Sequence, residues 1–189
     1  SDVCSSDLVK RQTSFSFEVC TAMETHFKNE NDAAGLVLFQ NENFNYRFQI
    51  LKRGRVYLLQ LIKLAGSKEE LIKEEILSGG KDDQTLVLKV VAEKQNLNFE
   101  FGYDERNMLL FAEKIDASIL STEKAGGFVG TVIGMYAVSG EERENSNCEF
   151  SSENSNKGFF KDYDTETSFF VDFDWFKYEN RGLEWICPV

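Results

Sequence analysis

Apolar and polar positions alternate along most of the chain. Phe15, Phe17, Val19, Thr21, Met23, Thr25 and Phe27 share one parity; Ser14, Ser16, Glu18, Cys20, Ala22, Glu24 and His26 share the other. Successive side chains of a β-strand point to opposite faces, so this spacing predicts a long strand with the first set buried. Ala34 to Gln40 is a short apolar run of strand length, and Asn41 to Asn43 is a turn. Phe44, Tyr46, Phe48 and Ile50 then alternate with Asn45, Arg47, Gln49 and Leu51, and a turn at Lys52 to Gly54 leads into a strand over Val56 to Leu64. The signal returns at Leu86 to Ala92, Leu97 to Tyr103 and Met108 to Ala112. Phe128 to Val138 reads as a further strand with Gly130 and Gly134 inside it, and interior glycine marks a bulge or a close backbone approach. Phe169 to Tyr178 carries aromatics at both parities, which predicts a strand buried between layers.

Two stretches break the pattern. Gly66 to Gly80 contains KEELIKEEIL, with Leu71, Ile72, Glu75 and Ile76 at helical spacing; an amphipathic helix and a pair of edge-strand fragments both fit it. Ser139 to Thr167 is rich in Ser, Asn and Glu and reads as a long surface loop or insertion. Many strands, frequent turn signals and the lack of a long helical pattern predict an all-β fold, two antiparallel sheets stacked as a sandwich. Jelly-roll wiring is one common way of limiting its open edges.

Composition agrees with a packed sheet protein: 13% of the 189 residues are aromatic and there is one Pro. The net charge of −11 repels phosphate backbones and anionic lipid, so neither nucleic acid nor a membrane is an expected partner, whereas a neutral sugar is indifferent to it. No apolar run approaches the roughly 20 residues that span a bilayer. Residues 1–8, SDVCSSDL, resemble the translation of a short-read sequencing adapter, so the domain is expected over 9–189 with its native upstream part missing. Outside that octapeptide stand Cys20, Cys148 and Cys187, widely spaced and without a CxxC pair. This favours free thiols over a zinc site, with one disulfide as the alternative.

Four blocks carry a family resemblance. Val9 to Glu18 (VKRQTSFSFE), Asp32 to Asn41 (DAAGLVLFQN), Leu120 to Thr131 (LSTEKAGGFVGT) and Val171 to Tyr178 (VDFDWFKY) resemble, in this order, segments of the β-xylosidase C-terminal concanavalin A-like domain of glycoside hydrolase family 43. The resemblance implies a parent enzyme whose N-terminal five-bladed propeller carries three carboxylates and hydrolyses xylosidic or arabinofuranosidic bonds in an oligosaccharide, with inversion. The sandwich would pack on that propeller and send the loop Leu120 to Thr131 toward its pocket. Phe128 is the residue that would shape the pocket rim; otherwise it is a core Phe opening a strand. The length of the Ser139 to Thr167 segment and the tail Glu179 to Val189 depart from the family pattern.

The remaining chemistry is sparse. Inverting hydrolysis needs an acid and a base roughly 6.5–9.5 Å apart beside a cleft, and no motif sets two carboxylates on convergent elements, so this chain alone is not expected to be catalytic. No cofactor is implied. A structural Ca²⁺ would need several oxygen ligands, for which Asp172, Asp174 and Glu18 are candidates if the first and last strands pair; otherwise the two aspartates face solvent or pair with a cation. An autonomous carbohydrate-binding module is the alternative function. It would need exposed rings, with Phe44, Tyr46, Tyr57, Trp175 and Tyr178 as candidates by type, although Trp175 sits in a strongly apolar strand that suits a core. His26 lies on the polar parity and reads as a surface residue rather than a catalytic one. A sandwich with an unrelated interaction role is the third reading.

Overall fold

The structure is a computed structural model that describes residues 9–77, 84–126, 130–140 and 169–181. Strands β1 (Val9–Arg11), β10 (Val132–Val138), β3 (Ala33–Asn41), β4 (Phe44–Arg53), β5 (Val56–Ala65) and β6 (Lys68–Ile76) form one sheet in that order. Strands β11 (Phe170–Asn180), β2 (Ser16–His26), β7 (Leu86–Glu93), β8 (Asn96–Gly102) and β9 (Leu109–Asp116) form the other. Every pairing is antiparallel. The expected two-sheet sandwich is therefore the observed fold. No helix among the described residues is long and apolar enough to cross a membrane.

The buried parity of each strand makes the core. Phe17, Val19, Met23 and Phe27 of the β2 segment meet Leu36 and Leu38 of β3, Tyr46 and Phe48 of β4, and Leu59 and Leu61 of β5. Across the sandwich, the Phe48 ring lies 5.3 Å from Phe99 of β8 and 5.4 Å from Phe111 of β9. Aromatic pairs at such spacings add about 1 kcal/mol beyond the area they bury. Thr21 and Thr25 share this buried parity, and the Thr21 hydroxyl donates to the Trp175 carbonyl at 2.7 Å, which satisfies it inside the core.

Three expectations change and one open choice is settled. Phe15 does not continue the buried row: β2 begins at Ser16, and the chain bends so that Phe15 is 77% exposed. Of the two readings of the KEELIKEEIL segment the strand one holds, as a single strand β6 paired with β5 through a bulge between Leu61 and Ile62. Pairing satisfies the free edge of β5, which outweighs local helix propensity, and the charges of KEELIKEEI suit an outermost strand. Strand β11 is not buried between layers. It is the outermost strand of its sheet, and a bulge between Phe173 and Trp175 breaks the alternation that the aromatics implied. The strand expected over Phe128 to Val138 begins at Val132, after Gly130 and Thr131, and Phe128 lies outside the described residues. The expected loop over Ser139 to Thr167 falls, from residue 141 on, outside the described residues.

One polar side chain pins the fold. Asp32 is fully buried in the turn between β2 and β3. One carboxylate oxygen accepts from the backbone N–H groups of Lys28 (2.8 Å) and Asn29 (2.7 Å). The other accepts from the Gly140 N–H at 2.8 Å and the Ser139 hydroxyl at 3.2 Å. Gly140 fits this contact because it lacks a Cβ, which would lie 1.9 Å from the Glu30 carbonyl oxygen. Removing the carboxylate strands several buried donors at once. Asp32→Ala is expected to lower unfolding free energy by about 3 kcal/mol with an unchanged denaturant m-value, measured by urea titration; a loss under about 1 kcal/mol would contradict the pinning role.

Candidate functional site

A cavity of about 680 Å³ opens at one end of the sandwich. Its floor is the apolar end of the core, Phe17, Leu38, Leu97 and Leu120. Its walls come from residues Gln12–Phe15 between β1 and β2, from the β7–β8 turn at Lys94 and Gln95, and from Ala117 to Lys124 together with Gly130 and Thr131. Lys94 adopts a positive φ of 57° in that tight turn.

The third wall is built with care. Asp116 ends β9, and its carboxylate accepts from the Ser118 N–H at 2.9 Å and the Ser118 hydroxyl at 2.5 Å, which starts a 3-10 turn over Ala117–Leu120. These bonds hold the Asp116 carboxyl below the usual carboxylate range. Ser121 then caps the single turn α1 (Thr122–Ala125). The buried Tyr46 hydroxyl donates to the Asp116 carbonyl at 2.8 Å, fixing the turn to the core, and burial raises the pKa of that phenol and keeps it neutral. Asn41 donates to the Ala125 carbonyl at 3.1 Å. On the far side, the buried Thr131 hydroxyl lies 3.0 Å from the Leu120 carbonyl and 3.1 Å from Gln40 Oε1, and the Thr131 carbonyl accepts from the Gln12 N–H at 2.9 Å.

Phe128 lies outside the described residues, but both flanks of its loop line this cavity, through Leu120 to Lys124 on one side and Gly130 and Thr131 on the other. Phe15 lies at the same cavity and was missed as a site residue, because alternation assigned it to the core. The signal that could have found it is the short spacing from Arg11 to Ser16, where Gln12, Thr13 and Ser14 end one strand before the next begins.

Other candidates disperse. Tyr46 and Tyr57 are core residues, and Tyr178 stacks on Phe17 at 5.5 Å, so the five aromatics do not share an exposed row. Trp175 covers Cys20, Ala22 and Val87 on the outer face of its sheet. Burial above all pushes the Cys20 thiol up to about 12, so it is unreactive near neutral pH; Cys148 and Cys187 lie outside the described residues. β2 and β11 do pair, yet Glu18 sits opposite Glu179, and Asp172 opposite Glu24, six residues away along β2 and roughly 20 Å distant. Glu18 instead pairs with Lys89 at 3.0 Å and with Arg181. Among the described residues no group of three or more His, Cys, Asp or Glu is arranged to hold a metal ion. His26 stacks on Phe170 at 4.1 Å.

The outer face of the six-stranded sheet carries a polar row at one register. Tyr136 bonds Gln49, Gln49 donates to Gln60 at 2.9 Å, and Gln60 donates to Glu74 at 2.6 Å. Between Tyr136 and Gln49 the row crosses Gly35, where a Cβ would lie 2.1 Å from the Phe48 carbonyl oxygen. The row runs across five strands, with its polar members bonded to one another on four of them.

The six-stranded and five-stranded antiparallel sheets make an all-β sandwich, the architecture of concanavalin A-like domains. The family described as the β-xylosidase C-terminal concanavalin A-like domain matches residues 1–152, and the chain belongs to it. A xylosidase/arabinosidase of Butyrivibrio fibrisolvens is 31% identical over 142 residues, covering 75% of this chain and 26% of that protein. Among solved structures, a GH43 protein from Bacillus licheniformis superposes with a TM-score of 0.68 at 19% identity, covering 91% of this chain and 29% of the other. A GH43_12 protein from a capybara gut metagenome gives 0.62 at 27% identity over 68% of this chain and 24% of its own. The chain thus spans about a quarter of the length of this Butyrivibrio fibrisolvens relative.

The capped turn makes a pH prediction. Because the folded Asp116 carboxyl titrates below its unfolded value, its stabilisation is complete above about pH 4 and is lost as pH falls through the lowered folded value. Asp116→Asn should flatten the acid limb of stability against pH, with unmodified protein converging on the variant once the pH falls below the lowered folded value. Parallel curves from chemical denaturation at several pH values would exclude this contribution.

Proposed function

We propose that this chain is the C-terminal accessory domain of a longer enzyme that hydrolyses xylosidic or arabinofuranosidic bonds. In this reading the cavity end leans on the catalytic propeller, and residues 120–131 complete the rim of the propeller's pocket through Phe128. The observation that carries it is the support beneath that segment. Asn41, Gln40 and Thr131 tie both of its flanks to the six-stranded sheet, and Tyr46 holds Asp116 at the turn that leads into it. Rim residues that touch substrate gain from such preorganisation.

A catalytic role for the cavity itself finds no support. Glu123 is the single carboxylate residue among its described lining residues, whereas glycoside hydrolysis takes a pair. The domain would act by position, through packing and exclusion of water.

The test is kinetic and uses the longer polypeptide. Phe128→Ala there should lower kcat/KM for short xylo- or arabino-oligosaccharides by about tenfold or more, equivalent to roughly 1.4 kcal/mol of transition-state stabilisation, without changing thermal stability. Unchanged kcat/KM on every substrate would remove the rim role.

A further inference from the structure

We propose that β11 is a pairing edge through which two copies of this chain form a dimer, their five-stranded sheets joined edge to edge. This is independent of the rim reading, which concerns residues 120–131 and another domain's pocket.

The edge is long and open. Among the described residues no strand pairs with β11 on the side away from β2, along a strand of 11 residues. The Arg181 N–H donates to the Ser16 carbonyl at 2.9 Å. By the alternation of an antiparallel ladder, Phe176, Tyr178 and Asn180 then turn their backbone N–H and C=O groups away from β2. Such a row is a template for another strand. Beside it lies a hollow of about 580 Å³, lined by Val9 and Lys10 of β1, Met135 of β10, and Phe173, Phe176 and Tyr178 of β11. The sandwich thus gapes where β11 ends one sheet and β1 ends the other, and the rings along the gap are only half-buried.

Charge and facing choose a second copy as the occupant. Asp172 and Lys177 are exposed on the outer face, while Val171, Phe173, Phe176 and Tyr178 pack toward the core. Asp172 and Lys177 differ in parity, and an unbroken strand would set them on opposite faces. The extra residue of the bulge between Phe173 and Trp175 brings them to the same one. A second β11 running antiparallel, with its Lys177 opposite Asp172, places the twofold axis between Asp174 and Trp175. The same register sets Phe173 opposite Phe176 and Val171 opposite Tyr178, and symmetry makes each contact twice. A slip by two residues sets Asp172 against Glu179 in one direction and leaves Lys177 against Phe170 in the other. Lys177 now stands 3.3 Å from Glu179 in an exposed pair, so exchanging that partner costs little. The two Asp174 carboxylates approach the axis and, with a net charge of −11 on each chain, keep the association weak.

The experiment is sedimentation velocity of the 189-residue chain from about 5 to 500 µM. We expect a reversible monomer–dimer equilibrium with Kd in the range of about 10–200 µM. Lys177→Asp and Asp172→Lys each set like charges opposite one another twice and should raise Kd about tenfold or more. An equimolar mixture of the two variants restores both ion pairs across a heterodimer, and so does the double variant within a homodimer. Both should associate within about threefold of the unmodified chain. Both side chains are exposed, so thermal unfolding at low concentration should be unchanged. The Phe176 and Tyr178 amides should also exchange with deuterium more slowly at the upper end of the concentration range. A chain that stays monomeric to about 500 µM overturns the proposal. So does association that neither single variant weakens, or a loss that mixing the two does not reverse.

Discussion

The fold depends on the contact between the inward faces of the two sheets. Phe48 from one sheet meets Phe99 and Phe111 from the other, and the aliphatic rows of β3, β5 and β7 close around them. Removing this apolar surface from water is the main drive for folding, and it acts only if each strand keeps its register. A slip by one residue along β4 would exchange Tyr46, Phe48 and Ile50 for Asn45, Arg47 and Gln49 in the core. The same constraint positions the cavity, whose floor is the end of this apolar layer, where strands stop and connections take over.

The strands with clean alternation were legible in the sequence because one face of each is buried and the other is not. β2 from Ser16 onward, β4 and β8 follow their predicted parity. Legibility fails where a non-local contact decides. The segment KEELIKEEI has the composition of a helix but becomes β6, since β5 offers a ladder that no local propensity encodes. The aromatics of β11 suggested burial on both faces; a bulge and an outermost place in the sheet leave them half-covered instead.

The candidate site was less legible than the fold. The Leu120 to Thr131 segment was found through its resemblance to a family, and the structure adds the bonds that anchor it. Neither Asp32 nor Phe15 announced itself, because a buried carboxylate looks like any turn Asp, and an exposed Phe looks like any core Phe. The polar row from Tyr136 to Glu74 needs five strands to be in register before its members become neighbours. Glu18 stands apart from Asp172 and Asp174 for the same reason: β2 and β11 pair, but their register sets the carboxylates far apart along β2.

The Asp32 clamp bears on how such a domain can vary. Gly140, the last described residue after β10, is bonded to Asp32, and Phe169, just before β11, stacks on Phe27 at 5.7 Å. Both ends of the connection over residues 141–168 are thus fastened to the single turn between β2 and β3. Closing a chain between two fixed neighbouring points costs only slightly more as the chain lengthens, by roughly 0.6 kcal/mol per doubling. The clamp therefore makes this corner of the sandwich a place where whole segments can be gained or lost while the sheets keep their register.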